Sequence, residues 1–449
     1  MIDSLRRTLP AGSVLHSKGD IAAYLHDRAP AARVGEASAV ILPTSTEQIA
    51  TVLELAHDTK TPVVTRGLGS GEAGGASAVD GALVISTERM TEILHLDAAN
   101  RSADVQAGVT AYQLDTVART KSLRYAPEPG SWRISTLGGN IATNAGGFRC
   151  NKYGPTGDAV RELTVVTGRG EILRTGSKTH KSVAGLNLTQ LFVGSEGILG
   201  IITEATLRLE TAPEDPPVTA LAHFETFAGA IRAGVEISRS SLDPALVEAM
   251  DSRTLQSIDE WKGTDYLAKG AGLLIVQLDR DVTRNRALLQ DALGEVGASA
   301  VTVRQGTKWA DHVLDVRRLA LPAAERLGNV LVEDVAVPPD RLAELVDYVQ
   351  AISIDFGVPI LNVAHVADGN LHPTLLYTGA RPNRRVTGAA EEIFKLALSL
   401  GGTITGEHGV GTVKRTALAD EVGELSIGLQ RGIKAVFDPA DILNPGKVL

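Results

Sequence analysis

A short strand ending at Thr65 runs directly into Arg66-Gly67-Leu68-Gly69-Ser70-Gly71-Glu72-Ala73-Gly74-Gly75-Ala76, and that junction restricts the fold more than any other stretch of the chain. Glycines allow backbone amides to close on a pyrophosphate, and Ser70 adds a hydroxyl donor. Gly69, Gly71 and Gly74 match the dinucleotide fingerprint, but that fold begins a helix inside the motif. Here the chain continues into a turn-like Val79-Asp80-Gly81, so Rossmann geometry is rejected. No Lys-Ser/Thr pair follows the glycines, which argues against a nucleotide-triphosphate loop.

Two further glycine clusters extend the pattern. Pro129-Gly130-Ser131 leads to Thr136-Leu137-Gly138-Gly139-Asn140, then Thr143-Asn144 and Gly146-Gly147, and Gly194-Ser195-Glu196-Gly197 runs on to Gly200-Ile201-Ile202. Small residues interleaved with Ser, Thr and Asn give a surface that a flat ring can approach while amides and hydroxyls bond its edge. One such cluster is an ordinary surface loop, whereas several in order point to a bound group.

Around these loops the first half mixes short strands with one clear helix. A capping box is expected from Thr44 to Glu47, with Ile49, Val52, Leu53 and Ala56 on one face and an end near Lys60. Strands are expected at 62–65, 83–86, 93–96, 103–106, 163–167, 172–174 and 201–209, with a helix over 112–120. The run Thr211-Ala212-Pro213-Glu214-Asp215-Pro216-Pro217 reads as a boundary, because prolines end ladders and stiffen linkers. Beyond it, strands near 219–224, 246–250, 273–278 and 330–335 alternate with longer helices, so an open sheet backed by helices is the simplest packing. The tail from Val436 to Lys447 is expected to return to the first unit.

At 449 residues the chain exceeds one ordinary core, so two domains are the starting expectation. A formal charge of -9 opposes a nucleic-acid surface. Cys150 is the only cysteine, which leaves no internal disulfide and is read as a packing thiol. Neither a signal-like N-terminal run nor a membrane-length apolar segment is found, so the expected location is the cytoplasm, with peripheral membrane contact left open.

The chemistry concentrates late in the chain. His365-Val366-Ala367-Asp368-Gly369-Asn370-Leu371-His372 reads as two strands, 358–366 and 371–377, joined by a tight Asp-Gly turn that sets His365 across from His372. Gly406-Glu407-His408-Gly409 follows later. Two neutral imidazoles suit zinc, iron or manganese, and a carboxylate such as Glu407 would complete a face with coordination positions left for a ligand. The chain's scattered histidines read instead as structural hydrogen-bonding groups.

Taken in order, 62–76, 129–153, 194–204, 365–373, 401–411 and 444–447 resemble the FAD-linked oxidase family with a vanillyl-alcohol-oxidase-type flavin domain. The histidine motifs resemble its branch of D-lactate, glycolate and D-2-hydroxyglutarate dehydrogenases. The resemblance covers nearly the whole chain. It implies an α+β fold: a two-part FAD-binding domain with an inserted cap domain whose open antiparallel sheet is backed by helices. The corresponding domains are 1–212 for FAD, 213–420 for the substrate cap with its metal site, and 421–449 returning to the FAD domain.

By the same resemblance Arg66, Gly67, Gly69, Ser70, Gly71 and Gly75 hold the pyrophosphate. Pro129, Gly130, Ser131, Gly139, Asn140, Thr143, Gly147, Glu196 and Ile202 surround the remaining FAD, with Asn444 near the ring. His365, His372 and Glu407 bind a divalent metal, zinc foremost with manganese or iron as alternatives. His408 is the base and Arg317 grips the substrate carboxylate. The resemblance further implies non-covalent FAD, since no histidine stands between Arg66 and Ala76, and a small 2-hydroxy acid as substrate. Dicarboxylate-specific relatives carry a lysine ahead of an Asp-x-x-x-Pro segment. Leu331-Val332-Glu333-Asp334-Val335-Ala336-Val337-Pro338 has none, which favours D-lactate or glycolate over D-2-hydroxyglutarate.

The electron acceptor is left among a quinone, an electron-transfer flavoprotein, a cytochrome and oxygen, and a homodimer is one open assembly. Two rivals stand beside this reading. A zinc hydrolase would use the same histidines to activate water but leave the glycine loops without a purpose. A flavin-binding electron-relay subunit of a larger complex could dispense with the histidines that this chain retains.

Overall fold

The computed structural model describes residues 1–449. Its contacts divide the chain into two units: 1–146, 154–212 and 407–449 form the first, and 147–153 with 213–406 the second. The short piece 147–153 thus groups with the second unit. The first unit resumes at Glu407, ahead of the residue-421 boundary expected from sequence.

The first unit is built on two sheets. In one, Val14–Leu15 pairs antiparallel with Ala39–Ile41, which continues in parallel through Leu83–Ser86 to Val63–Arg66. The other is antiparallel throughout, in the order Ile93–Asp97, Ser102–Gln106, Ile201–Arg208, Val160–Val166, Ile172–Gly176. The helix Thr46–Thr59 buries Ile49, Val52, Leu53 and Ala56 completely, each larger side chain contributing about 1.5–3 kcal/mol. Its start differs from the expected Thr44–Glu47 box. Ser45 is the cap, accepting from Gln48 N, while Gln48 reaches back to Thr44 N at 2.9 Å. The helical register of the buried stripe, rather than the first Thr, sets that boundary.

No helix lies between Arg66 and Leu83, in keeping with the rejection of Rossmann geometry; 67–82 is a loop joining two adjacent parallel strands. The tail returns as expected: Val63 N donates to Ile442 O (2.7 Å) and Asn444 N to Val63 O (2.8 Å).

The second unit carries an eight-stranded antiparallel sheet in the order Ala300–Gln305, Val218–Phe224, Gly272–Leu278, Leu246–Asp251, Ile360–His365, Asn370–Tyr377, Asn329–Val332, with Val335–Ala336 also paired to Asn370–Tyr377. Helices Phe227–Ser238, Ser252–Lys262, Thr307–Arg318, Leu342–Asp355 and Arg384–Ser399 accompany it. Val218–Phe224 and Gly272–Leu278 are buried at every position, and their near-continuous apolar sequences are what such strands require.

Candidate functional site: a histidine pair, a buried arginine and glycine loops

In the second unit the hairpin forms, but its turn is longer than the Asp-Gly dipeptide suggests. His365 is registered with Asn370, and 366–369 close the loop. His372 therefore lies opposite Val363, and the two imidazoles are diagonal neighbours on one face. Their ring centroids are 5.1 Å apart at 89°. Both are buried.

One carboxylate organises this corner. Glu248, fully buried on Leu246–Asp251, is registered directly with His365. Its Oε1 lies 2.5 Å from His365 Nδ1, and its Oε2 accepts from Arg317 Nε at 2.9 Å. Arg317, in the last turn of Thr307–Arg318, is therefore buried and ion-paired rather than a surface arginine. Its guanidinium and that of Arg318 lie 5.5 and 5.7 Å from the Phe148 ring centre, and the same ring meets His365 edge-on at 5.7 Å. Asp334, also fully buried, accepts from Asn370 Nδ2 (2.7 Å) and Thr405 Oγ1 (2.9 Å), and lies 3.8 Å from His372 Nδ1. The segment ending at Gly406 is thereby tied to the His372 strand. Glu407 is the next residue and is half-buried.

Sequence reading missed Glu248, Asp334 and Phe148. The available signal was a single acidic residue in the apolar strand Leu246-Val247-Glu248-Ala249-Met250, a pattern that burial makes costly unless the charge is paired.

In the first unit the two glycine loops meet, because a side chain on Gly67 would occupy the space of Thr136 Oγ1. At Gly130 a Cβ would have nothing within 4 Å, and at Gly71 nothing nearer than Asp27 Oδ2 at 4.0 Å. Gly69, Ser70, Gly75 and Ser131 are half-buried beside them, and Pro129 is buried. Gly139, Asn140 and Thr143 lie in the helix Leu137–Thr143, capped by Thr136. Asn140 Nδ2, Ser135 Oγ and Thr65 Oγ1 are buried without a protein partner. Polar atoms of this kind beside open glycine backbone suit a flat heterocycle with a diphosphate arm, so these residues fit FAD. Ile202 is an apolar wall residue at 6% exposure, and Gly147 groups with the second unit.

Three residues expected at the cofactor have their side chains engaged with protein. Arg66 donates from Nη1 to Tyr24 O (2.9 Å) and His26 O (3.0 Å) and from Nη2 to Leu68 O (3.2 Å), so it shapes the loop from beneath. Asn444 Nδ2 donates to Glu196 O at 2.7 Å. Glu196 accepts from Val410 N and Gly411 N at 2.7 and 2.8 Å, clamping the turn after His408. A Cβ on Gly409 would sit 2.9 Å from the Glu196 carboxyl carbon, at a φ of +86°. Only glycine fits that turn. Lys447 Nζ donates to Gly75 O and Ser77 O, both at 2.7 Å, and props the first glycine loop. His408 Nδ1 lies 3.7 Å from Glu72 Oε2, a carboxylate within that same loop.

Burial pushes the Glu196 carboxyl up to about 6, against the two backbone N–H bonds and the lysines that lower it, and pushes the Lys447 ammonium down to about 7. Folded Glu196 takes its proton before the unfolded chain does. The resulting stabilisation is full below the unfolded value of 4.5 and is lost as pH rises through 6. Glu196→Gln, which cannot titrate, should therefore change its stability relative to wild type by roughly 2 kcal/mol across that window. Urea unfolding of both proteins at several pH values checks this, and a constant difference between them would exclude the raised pKa.

Residues 37–176 match the FAD binding domain and residues 215–448 the C-terminal domain of FAD linked oxidases. The chain belongs to the FAD-linked oxidases and has the vanillyl-alcohol-oxidase-type fold. It is 38% identical over 417 residues to the glycolate oxidase subunit GlcD of Bacillus subtilis, covering 91% of this chain and 88% of that one. It is 37% identical over 435 residues to a D-lactate dehydrogenase of Archaeoglobus fulgidus, covering 95% of each. Among solved structures, p-cresol methylhydroxylase superposes with a TM-score of 0.82 at 17% identity over all of this chain and 96% of the other. The 4-ethylphenol oxidase of Gulosibacter chungangensis gives 0.81 at 18% over 100% and 96%. These two show the fold. The chain is an FAD-dependent oxidoreductase acting on CH–OH groups, and no helix is long and apolar enough to cross a membrane.

Proposed function

We propose that this protein oxidises a small D-2-hydroxy acid, D-lactate or glycolate foremost, to the 2-oxo acid. The observation that carries the reading is the second-unit corner in which His365 and the buried Arg317 converge on Glu248, with His372 beside His365. Relatives named D-lactate dehydrogenase and glycolate oxidase subunit support this substrate class.

The glycine loops would hold FAD, which would supply the acceptor for the hydride that leaves C2. His408 takes the hydroxyl proton, with the Glu72 carboxylate 3.7 Å from its Nδ1. Arg317 receives the substrate carboxylate through its terminal nitrogens while Nε stays on Glu248. His365, His372 and Glu407 would hold a divalent ion, zinc foremost, which would lower the pKa of the substrate hydroxyl. Ahead of Asp334-Val335-Ala336-Val337-Pro338 the chain has Leu331, Val332 and Glu333 and no lysine. That supports a monocarboxylate. The relatives named as subunits also support a partner that draws electrons away, and a cytoplasmic location belongs to the same proposal.

The test is anaerobic bleaching of the bound flavin by a panel of D- and L-2-hydroxy acids with no partner added. Bleaching by D-lactate or glycolate, ahead of L-lactate and D-2-hydroxyglutarate, is the expected result. Arg317→Met should reduce kcat/KM for the same acid by about 10–100-fold, as loss of a charged hydrogen bond does. Flavin that stays oxidised with every acid would overturn the assignment and leave the electron-relay role.

A further inference from the structure

We infer that Glu248 is a positioning residue that serves both ends of the substrate site at once, fixing the proton of His365 on Nδ1 and holding Arg317 by Nε. The inference rests on the metal reading above for its functional consequence. It stands on geometry for the rest.

Glu248 has no solvent exposure, so its carboxylate must be satisfied by protein. Oε2 accepts from Arg317 Nε at 2.9 Å, and that donor, which has no acceptor capacity, fixes Oε2 as an accepting oxygen. The geometry assigns the hydrogen between Oε1 and His365 Nδ1, 2.5 Å apart, to the imidazole, with Glu248 accepting at both oxygens. Nε2 is then the atom with which neutral His365 binds an ion. A buried carboxylate behind a liganding imidazole fixes the tautomer, locks the ring orientation and raises its basicity.

The strand register makes the contact unavoidable. Glu248 and His365 are directly opposed across Leu246–Asp251 and Ile360–His365, so their side chains leave the same face. The two lie 117 positions apart in the chain and are brought together by the sheet. Asp334 does not have the same relation to His372. At 3.8 Å from Nδ1 it is beyond hydrogen-bond reach, and its two oxygens already accept from Asn370 and Thr405. The assignment is made for Glu248, where the contact is direct.

Because one carboxylate touches both groups, metal affinity and carboxylate recognition should be linked. Substituting Glu248 should weaken both, whereas Arg317→Met should change the KM for the acid and leave the metal bound.

The test uses the full FAD-loaded chain stripped of metal. Zinc is titrated back against a chromophoric chelator, and the imidazole nitrogens are observed by long-range 1H–15N correlation, with His365→Gln identifying the His365 signals. Wild type should bind zinc and show His365 protonated at Nδ1 in the metal-free state. Glu248→Gln should bind zinc roughly 10–100-fold more weakly with unchanged FAD content, the loss typical of removing such a partner, and should raise the KM for the acid. Zinc bound as tightly by Glu248→Gln as by wild type would overturn the inference and leave the metal reading intact. Wild type that binds no divalent ion would overturn the metal reading itself. Should Glu248→Gln not fold, the wild-type spectrum decides, since an Nε2-protonated His365 is incompatible with the role assigned to Glu248.

Discussion

Replacing His408 by alanine is expected to slow flavin reduction by the hydroxy acid about 10²–10⁴-fold while leaving FAD bound, the range that a positioned base contributes. His408 stands between Glu407 and Gly409 in a turn whose backbone N–H groups at 410 and 411 are clamped by Glu196. Removing the imidazole would take away the proposed proton acceptor and leave the clamp in place. The residues assigned to FAD lie elsewhere, in the loops 66–75 and 129–147 and at 444. Stopped-flow bleaching at saturating acid separates the two effects, since the flavin spectrum before mixing reports binding and the decay reports chemistry. Bleaching at the wild-type rate would remove His408 from the mechanism.

Stripping divalent metal should be the second large effect. Two buried imidazoles with centroids 5.1 Å apart form an arrangement that no apolar packing requirement explains. An ion there would polarise the substrate oxygen by several kcal/mol, and about 3 kcal/mol corresponds to a loss near 100-fold on removal. Dialysis against a strong chelator should lower turnover by that order, and added zinc or manganese should restore it. The FAD spectrum should be unaffected. His372→Ala should behave like the stripped protein and should not be restored by metal. Full activity in protein shown by elemental analysis to be metal-free would sink the proposal.

Much of this was legible in residues read one at a time. The helix 46–59 announces itself by its apolar period, and the glycine loops by being too rich in glycine for any element that packs by side chains. The histidine pair was visible because its members are only seven positions apart in one hairpin, although the turn length and hence the diagonal pairing were misjudged. What stayed hidden depends on register between distant segments. Glu248 is one acid in a strand, and only the alignment of Leu246–Asp251 with Ile360–His365 makes it the partner of His365. Glu196 was read as part of a flavin strip because its neighbours are glycines. The fold turns its carboxylate toward 410 and 411 instead, 214 and 215 residues away. Arg66 likewise looked like a phosphate ligand, yet three backbone carbonyls take up its terminal nitrogens.

The prop beneath the first glycine loop bears on how the protein is made. Gly75 and Lys447 are 372 positions apart, and Val63 receives its parallel neighbour from Leu443. During synthesis the nucleotide cradle therefore stays unfinished until the ribosome has released nearly everything between them, the whole cap included. Prosthetic-group capture is in consequence a late event, and residues 1–212 expressed by themselves lack the strut that shapes their own phosphate loop.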